Sequence, residues 1–134
     1  MFIDTSVFVE ILSSQPDARK YELIIESHAE LFTSALVRLE TIMALTKFNL
    51  GSPLQNVAAF DRVVAVAGIQ FLDITDAVGK LAVEAFAKFG KGQRNTAQLN
   101  LSDCMSYAVA KHYRLPLLFK GEDFSKTDIE MVKF

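Results

Sequence analysis

Residues 1–12 read MFIDTSVFVEIL, and this stretch sets the pattern of the whole chain. Three apolar residues suited to a short buried strand run directly into the carboxylate of Asp4, which the hydroxyls of Thr5 and Ser6 follow. The apolar spacing after Thr5 predicts a helix, and Asp is a favoured residue for capping one. Asp4 is therefore either a helix cap or a functional acid, and the choice depends on whether other acids converge on it.

The rest of the chain repeats this alternation of short apolar runs and amphipathic helical stretches. Such alternation indicates an α/β layer fold with a mainly parallel sheet. Strands are predicted over residues 1–3, 30–33, 69–73, 117–119 and 129–134. A first helix is predicted to begin at Thr5, and a second has Pro16 in its first turn. Four more helices are predicted to begin after the capping residues Ser34, Ser52, Thr75 and Ser102. No repeat or linker interrupts the pattern, so residues 1–134 are expected to form one domain.

Composition narrows the class of protein. The chain has 134 residues and one cysteine, Cys104, so no internal disulfide can form, which suits a reducing cytoplasmic setting. No apolar run approaches the roughly 20 residues of a membrane span, and no secretory signal is recognisable, so we expect no membrane contact. The net charge of −2 hides an asymmetry: residues 1–79 hold 5 basic and 10 acidic side chains, whereas residues 80–134 hold 9 basic and 6 acidic.

Four acids are placed to meet at one edge of the predicted sheet. Asp4 and Asp123 follow strands, and the loops after parallel strands collect where ligands bind. Asp103 lies in the first turn of its predicted helix, where the helix dipole favours a carboxylate. Glu40 lies one to two turns inside another helix, and side chains on a helix lean toward its amino terminus, so Glu40 can reach back to the same edge. The apolar neighbours of Glu40 on that helix predict that it is partly buried.

Carboxylates gathered in this way need a cation. At an effective dielectric of about 20, two of them 4 Å apart repel each other by roughly 4 kcal/mol. A site made only of oxygen ligands selects Mg²⁺ or Mn²⁺ over zinc. The chemistry that suits such a site is phosphodiester hydrolysis, because the ion lowers the pKa of an attacking water and stabilises charge on the leaving oxygen.

Four segments that carry these acids resemble the PIN-domain toxins of the VapC type. They are MFIDTSVFVEIL, LVRLETIMAL, NLSDCMSYAVAK and LPLLFKGEDFSKTDI, and together they span nearly the whole chain. The resemblance implies a single PIN domain over residues 1–134, a three-layer α/β/α sandwich with a central parallel sheet. It also implies a metal-dependent endoribonuclease that cleaves structured RNA such as tRNA or rRNA. Proteins of this type usually form homodimers and are silenced by a VapB-type antitoxin.

The resemblance also assigns roles to the four acids. Asp4, Glu40 and Asp103 match the metal-binding and catalytic acids of the family. Asp123 matches the usual fourth acid, although Glu122 beside it leaves that assignment open.

Further side chains are expected to support this acid site. Thr5 or Ser6 matches a hydroxyl that the family commonly has near the metal. Basic residues that would contact RNA phosphates are Lys91, Arg94, Lys120 and Lys126.

Two other functions fit parts of the sequence. A haloacid-dehalogenase-type phosphatase also begins with a strand followed by Asp, but it needs a second Asp two residues later, where this chain has Ser6. A PIN fold without catalytic activity, acting only as a binding module, is the other alternative. The presence of all four acids argues against it.

Overall fold

The computed structural model describes residues 1–134 and contains a central sheet of four parallel strands. The strands are β1 (Phe2–Ile3), β2 (Phe32–Thr33), β3 (Gln70–Phe71) and β4 (Leu117–Leu118), and their spatial order is β3-β2-β1-β4. Phe2 of β1 pairs with Phe32 on one side and with Leu117 on the other. The first strand is therefore central, and Asp4 leaves the middle of the sheet.

Six helices flank the sheet, as the predicted three-layer α/β/α class requires. They are α1 (Thr5–Leu12), α2 (Ala18–Glu26), α3 (Ala35–Lys47), α4 (Pro53–Ala67), α5 (Asp76–Phe89) and α6 (Leu101–His112). Helices α1 to α4 pack on one another, and α5 packs on α6. None of these helices has both the length and the apolar character needed to cross a membrane.

Most helix starts follow the predicted capping residues. The hydroxyls of Ser34, Ser52 and Thr75 each accept a hydrogen bond from a backbone N–H in the first turn of α3, α4 and α5. Gly68 ends α4 with a φ of 69°, a left-handed conformation that glycine adopts without steric cost. These caps fix where each helix begins relative to the strand before it.

The hydrophobic core is one cluster of 26 buried residues. Its largest side chains include Phe2, Phe8 and Phe60, all fully buried, and the rings of Phe8 and Phe60 lie 4.6 Å apart. The apolar face of α2 belongs to this core: Tyr21, Ile24 and Ile25 are all buried. Burying an aromatic or branched side chain stabilises the fold by about 2–3 kcal/mol.

The predicted end strand over residues 129–134 is wrong. Met131 forms only an isolated parallel bridge with Leu117, and the flanking hydrogen bonds join Leu117 to Glu130 and Val132. The other four predicted strands are present but only two residues long, because neighbouring strands pair at only one or two positions. A run of apolar residues predicts that a segment is buried. It does not predict how long a strand is, because strand length depends on pairing with segments that are distant in the chain.

Two helix starts also differ from the prediction. Helix α2 begins at Ala18, so Pro16 precedes the helix and is not in its first turn. Helix α6 begins at Leu101 and is capped by Asn100, not by Ser102. Asn100 and Asp103 cap each other: the Asn100 side chain accepts from the Asp103 N–H at 2.9 Å, and the Asp103 carboxylate accepts from the Asn100 N–H at 3.1 Å.

Candidate active site

Asp4 lies at the carboxyl end of the central strand and has two structural roles. Its Oδ2 accepts from the Ser6 N–H at 3.0 Å and so caps α1, and it accepts from the Ser6 hydroxyl at 2.7 Å. Its Oδ1 accepts from the buried Ser106 hydroxyl at 2.8 Å. Both alternatives raised by the sequence are therefore compatible, since the carboxylate caps a helix and also faces other acids.

Burial dominates the electrostatics of Asp4. The residue is 4% exposed, and burial raises the pKa of its carboxyl group above the ordinary value. Hydrogen bonds from Ser6 and Ser106 oppose that rise, and the negative charge of Glu40 adds to it. Asp4 forms no ion pair.

The carboxyl group of Asp103 is affected by the charges of the other three acids. Burial raises its pKa to about 6, and the charges of Asp4, Asp123 and Glu40 reinforce the rise, while the hydrogen bond from the Asn100 N–H opposes it. All four acids proposed from the sequence therefore lie near enough to act on one carboxyl group. A perturbed pKa caused by burial and like charges is typical of functional sites.

Glu40 is half-buried on α3, as predicted, but its surroundings differ from the prediction. The buried face of α3 is formed by Val37, Thr41, Ile42 and Leu45. Leu39 and Met43, next to Glu40, are 55% and 62% exposed. Glu40 is instead held by the Ser102 hydroxyl, which donates a short hydrogen bond to its carboxylate and joins α3 to α6.

The two candidates for the fourth acid, Asp123 and Glu122, differ in their electrostatic effect on Asp103. Asp123 precedes a short 3-10 turn, Phe124–Lys126, and both Asp123 and Glu122 are exposed. The charge of Asp123 contributes to the raised pKa of Asp103, and Glu122 is not among the causes of that rise. Of the two, Asp123 is the acid whose charge acts on Asp103.

The residues fit a hard cation that keeps part of its water shell. None of the four acids pairs with a lysine or arginine, and all their donor atoms are carboxylate oxygens. No three acidic, histidine or cysteine side chains are arranged as a complete protein-only metal site. The acids are thus less tightly gathered than the sequence suggested. Mg²⁺ commonly binds through one or two carboxylates plus water and phosphate oxygens.

The hydroxyls near Asp4 have different surroundings. Ser6 is hydrogen-bonded to Asp4, whereas the Thr5 hydroxyl is buried without any hydrogen-bond partner. Ser106, which contacts Asp4, and Ser102, which contacts Glu40, were missed as site residues from the sequence. The signal that could have found both is the helix period, because Ser106 follows Asp103 by three residues and Ser102 by four, which places it on the same face of α6 as both.

The predicted RNA-contacting residues are not all alike. Lys91 and Arg94 lie exposed in the loop between α5 and α6, and Lys126 is exposed in the 3-10 turn. Lys120 is different because its ammonium contacts the carboxylates of Glu10 at 2.6 Å and Asp17 at 3.6 Å. The four cations therefore belong to three separate segments of the chain, and Lys120 alone is already paired with carboxylates.

Known proteins resemble this chain over nearly its whole length. The PIN domain family matches residues 1–130. Ribonuclease VapC30 of Mycobacterium tuberculosis is 38% identical over 133 residues, which cover 98% of each chain. The crystal structure of VapC20 from Mycobacterium tuberculosis, described as a toxin that cleaves the sarcin-ricin loop, superposes with a TM-score of 0.77 at 17% identity and covers 98% of each chain.

A toxin–antitoxin complex from Klebsiella pneumoniae contains a second similar chain, with a TM-score of 0.67 at 16% identity over 95% of this chain and 92% of that one. The two structural matches bear on the fold, and they confirm the predicted α/β/α class. The family follows from the match to residues 1–130 and from the relative at 38% identity. The chain belongs to the PIN-domain family, in the group of the VapC ribonucleases.

Proposed function

We propose that this protein is a metal-dependent endoribonuclease and the toxin of a VapBC-type toxin–antitoxin pair. The observation that carries the proposal is that the charges of Asp4, Asp123 and Glu40 all act on the partly buried Asp103, while none of these four acids forms an ion pair. An uncompensated group of this kind destabilises the free protein and is relieved by a bound cation. Relatives named ribonucleases, at 38% identity, support the choice of RNA as substrate.

The acids would hold Mg²⁺ or Mn²⁺ between the sheet edge and α6. When bound, the cation lowers the pKa of the attacking water and neutralises charge at the scissile phosphate. Asp4 and Asp103 would provide fixed oxygens, because Ser6 and Ser106 orient the first and the Asn100 N–H orients the second. Glu40, which is half-buried and oriented by Ser102, and the exposed Asp123 would accept a proton from water or contact its hydrogen atoms.

RNA binding is assigned to the basic second half of the chain. Lys91, Arg94 and Lys126 are exposed and carry no carboxylate partner among the ion pairs of the structure. Structured RNA such as tRNA or rRNA is the proposed substrate class, and phosphate contacts of this kind make binding salt-dependent.

A protein partner is supported by an apolar groove beside the acids. The groove has a volume of about 520 Å³ and is lined in part by Leu36, Leu39, Met43 and Leu101, with Glu40 at its edge. Exposed apolar surface of this kind marks an interaction site. We propose that a VapB-type antitoxin binds there in the cytoplasm and that the toxin forms a homodimer.

The direct test is cleavage of total RNA by the purified protein. We expect cleavage with Mg²⁺ or Mn²⁺, none in excess EDTA, and recovery when the metal is restored. Asp103→Asn should abolish cleavage while the folded protein still binds RNA, whereas the exposed control Asp76→Asn should cleave normally. Binding without cleavage by the wild-type protein under all metal conditions would instead establish the inactive binding module.

A further inference from the structure

A second buried carboxylate lies one and a half turns along α1 from the acid cluster. Glu10 is 4% exposed, yet it has no place in the proposed reaction. Its Oε2 accepts from the Lys120 ammonium at 2.6 Å, and its Oε1 accepts from the Asp17 N–H at 2.9 Å. Both oxygens are therefore satisfied, and one of them is bound to a cation from a different part of the chain.

Lys120 is bound to α1 a second time through its backbone. Its N–H donates to the Ser6 hydroxyl oxygen at 2.9 Å, and that hydroxyl donates to Asp4 at 2.7 Å. Ser6 and Glu10 are four residues apart, so they share one face of the helix. Lys120, in the loop after β4, is thus held at two points along α1, and one of these points, the Ser6 hydroxyl, is itself hydrogen-bonded to Asp4.

The segment held in this way carries the fourth acid. Asp123 follows Lys120 by three residues and has no hydrogen bond of its own at the start of the 3-10 turn. The connection passes through Gly121, whose φ of 113° favours glycine. Beyond Asp123, the buried ring of Phe124 packs on Phe119 with centroids 5.0 Å apart. The exposed acid is therefore fixed only through anchors on either side of it.

We infer that the Glu10–Lys120 ion pair is a positioning device, which holds the segment carrying Asp123 against α1 and so sets the affinity of the acid site for its cation. The inference rests on the proposed function, since it takes Asp123 as part of the metal site. It assigns Lys120 a role through Asp123 and not a direct contact with RNA phosphates. Glu10, which the sequence did not single out, becomes its partner in that role.

The test measures Mn²⁺ binding by calorimetry without RNA, at a temperature well below the unfolding midpoint of each variant. We expect Lys120→Met and Glu10→Gln each to weaken Mn²⁺ binding about tenfold, the usual size of an effect on the partners of metal ligands. The double variant should be no weaker than either single variant, because the two residues act as a unit. Lys120→Arg keeps the charge and should retain more of the affinity than Lys120→Met.

RNA binding in EDTA, followed by fluorescence anisotropy, separates positioning from direct contact. Positioning predicts that Glu10→Gln and Lys120→Met leave metal-free RNA affinity unchanged. A direct contact between Lys120 and RNA predicts that Lys120→Met weakens RNA binding. It also predicts that Glu10→Gln, which only frees the Lys120 ammonium, leaves the Mn²⁺ affinity intact. These two results together overturn the inference. Lys80→Met, which removes an exposed ion pair with Asp76, is the matched control and should change neither quantity.

Failure of the inference and failure of the proposed function give different results. Wild-type protein that binds Mn²⁺, together with Glu10→Gln that binds it equally well, overturns the positioning role alone. Wild-type protein that binds no Mn²⁺ overturns the metal site and the positioning role with it. Glu10→Gln keeps the test decisive if Lys120→Met does not fold.

Discussion

The two ends of helix α1 each hold a carboxylate that is 4% exposed, but their surroundings are opposite. Glu10 is bound to the ammonium of Lys120 and to a backbone N–H. Asp4 has only neutral donors, from Ser6 and Ser106, and it faces further acids. Burying a charge is costly unless it is paired, so Glu10 is a completed structural contact, whereas Asp4 is left uncompensated.

The presence or absence of a cationic partner separates structural acids from functional ones better than burial does, because Asp4 and Glu10 are equally buried. Asp4 caps α1, but burial and the charge of Glu40 raise the pKa of its carboxyl group, and the charges of Asp4 and Glu40 in turn raise the pKa of Asp103. The comparison predicts that removing the charge has opposite effects at the two ends of the helix.

The largest expected effect is on catalysis at the Asp4 end. Asp4→Asn should lower RNA cleavage by about 10³-fold, because losing several kcal/mol of transition-state stabilisation corresponds to that factor. Its free energy of unfolding in metal-free buffer should stay equal or rise, since one repelling charge is gone. Glu10→Gln should lower the free energy of unfolding instead. Urea denaturation and cleavage rates of both variants check this, and equal destabilisation by the two changes would contradict it.

The next effect is the stabilisation of the protein by metal. A cation at 100 times its dissociation constant should raise the free energy of unfolding by about 2.7 kcal/mol, or the thermal midpoint by about 8 °C. EDTA should reverse the shift. The shift should be much smaller in Asp4→Asn and unchanged in Asp76→Asn, and scanning calorimetry measures all three. A wild-type midpoint that does not respond to Mg²⁺ or Mn²⁺ would count against the site.

The pH dependence of the metal-free protein gives a smaller effect. The pKa of Asp103 rises from 3.8 to about 6, mainly through burial, so between these values the folded state keeps a proton that the unfolded state has lost. The free energy of unfolding should therefore fall as pH rises from 4 to 6, by about 1–2 kcal/mol for this partly solvated group. Denaturation of wild type and Asp103→Asn over this range measures the difference, and identical profiles would refute the assignment. Metal binding should weaken below about pH 6, where protons compete for the site.

The smallest effect concerns the neutral donors that hold Asp4. Ser106→Ala removes the buried hydroxyl bonded to Oδ1 and should cost about 1 kcal/mol of stability. It should also raise the pKa of Asp4 further and lower Mn²⁺ affinity about tenfold. Ser27→Ala, whose hydroxyl bonds a backbone carbonyl at the end of α2, is the control and should leave metal affinity unchanged. A Ser106→Ala protein with wild-type metal affinity would show that Ser6 alone orients the acid.

The sequence predicted the layers because they depend on local patterns, and the choice of acids rests on the same patterns. The caps Ser34, Ser52 and Thr75 satisfy nearby N–H groups, and acids that follow parallel strands share one sheet edge. The charge of Glu40 contributes to the raised pKa of both Asp4 and Asp103, so these two acids lie within its electrostatic reach.

The failures concern partners that lie far apart in the chain. Ser102 looks like a cap because serine can cap, but Asn100 caps α6 through the Asp103 N–H and leaves Ser102 to bind Glu40, 62 residues away. The end strand failed because Met131 meets Leu117 at one rung only. The Glu10–Lys120 pair, 110 residues apart, has no local signal at all.

The central position of β1 has a consequence for folding kinetics. Phe2 pairs with Leu117 and Asp4 binds Ser106, so the first strand finds two of its partners only after more than a hundred intervening residues have been ordered. Contacts of such long sequence separation slow folding, because loop closure must precede them. Nuclease activity should accordingly return in the slowest phase of refolding, after most helical signal has recovered, as stopped-flow circular dichroism and timed cleavage assays can establish. A newly made chain would gain its toxicity late, as the last property of the fold to form.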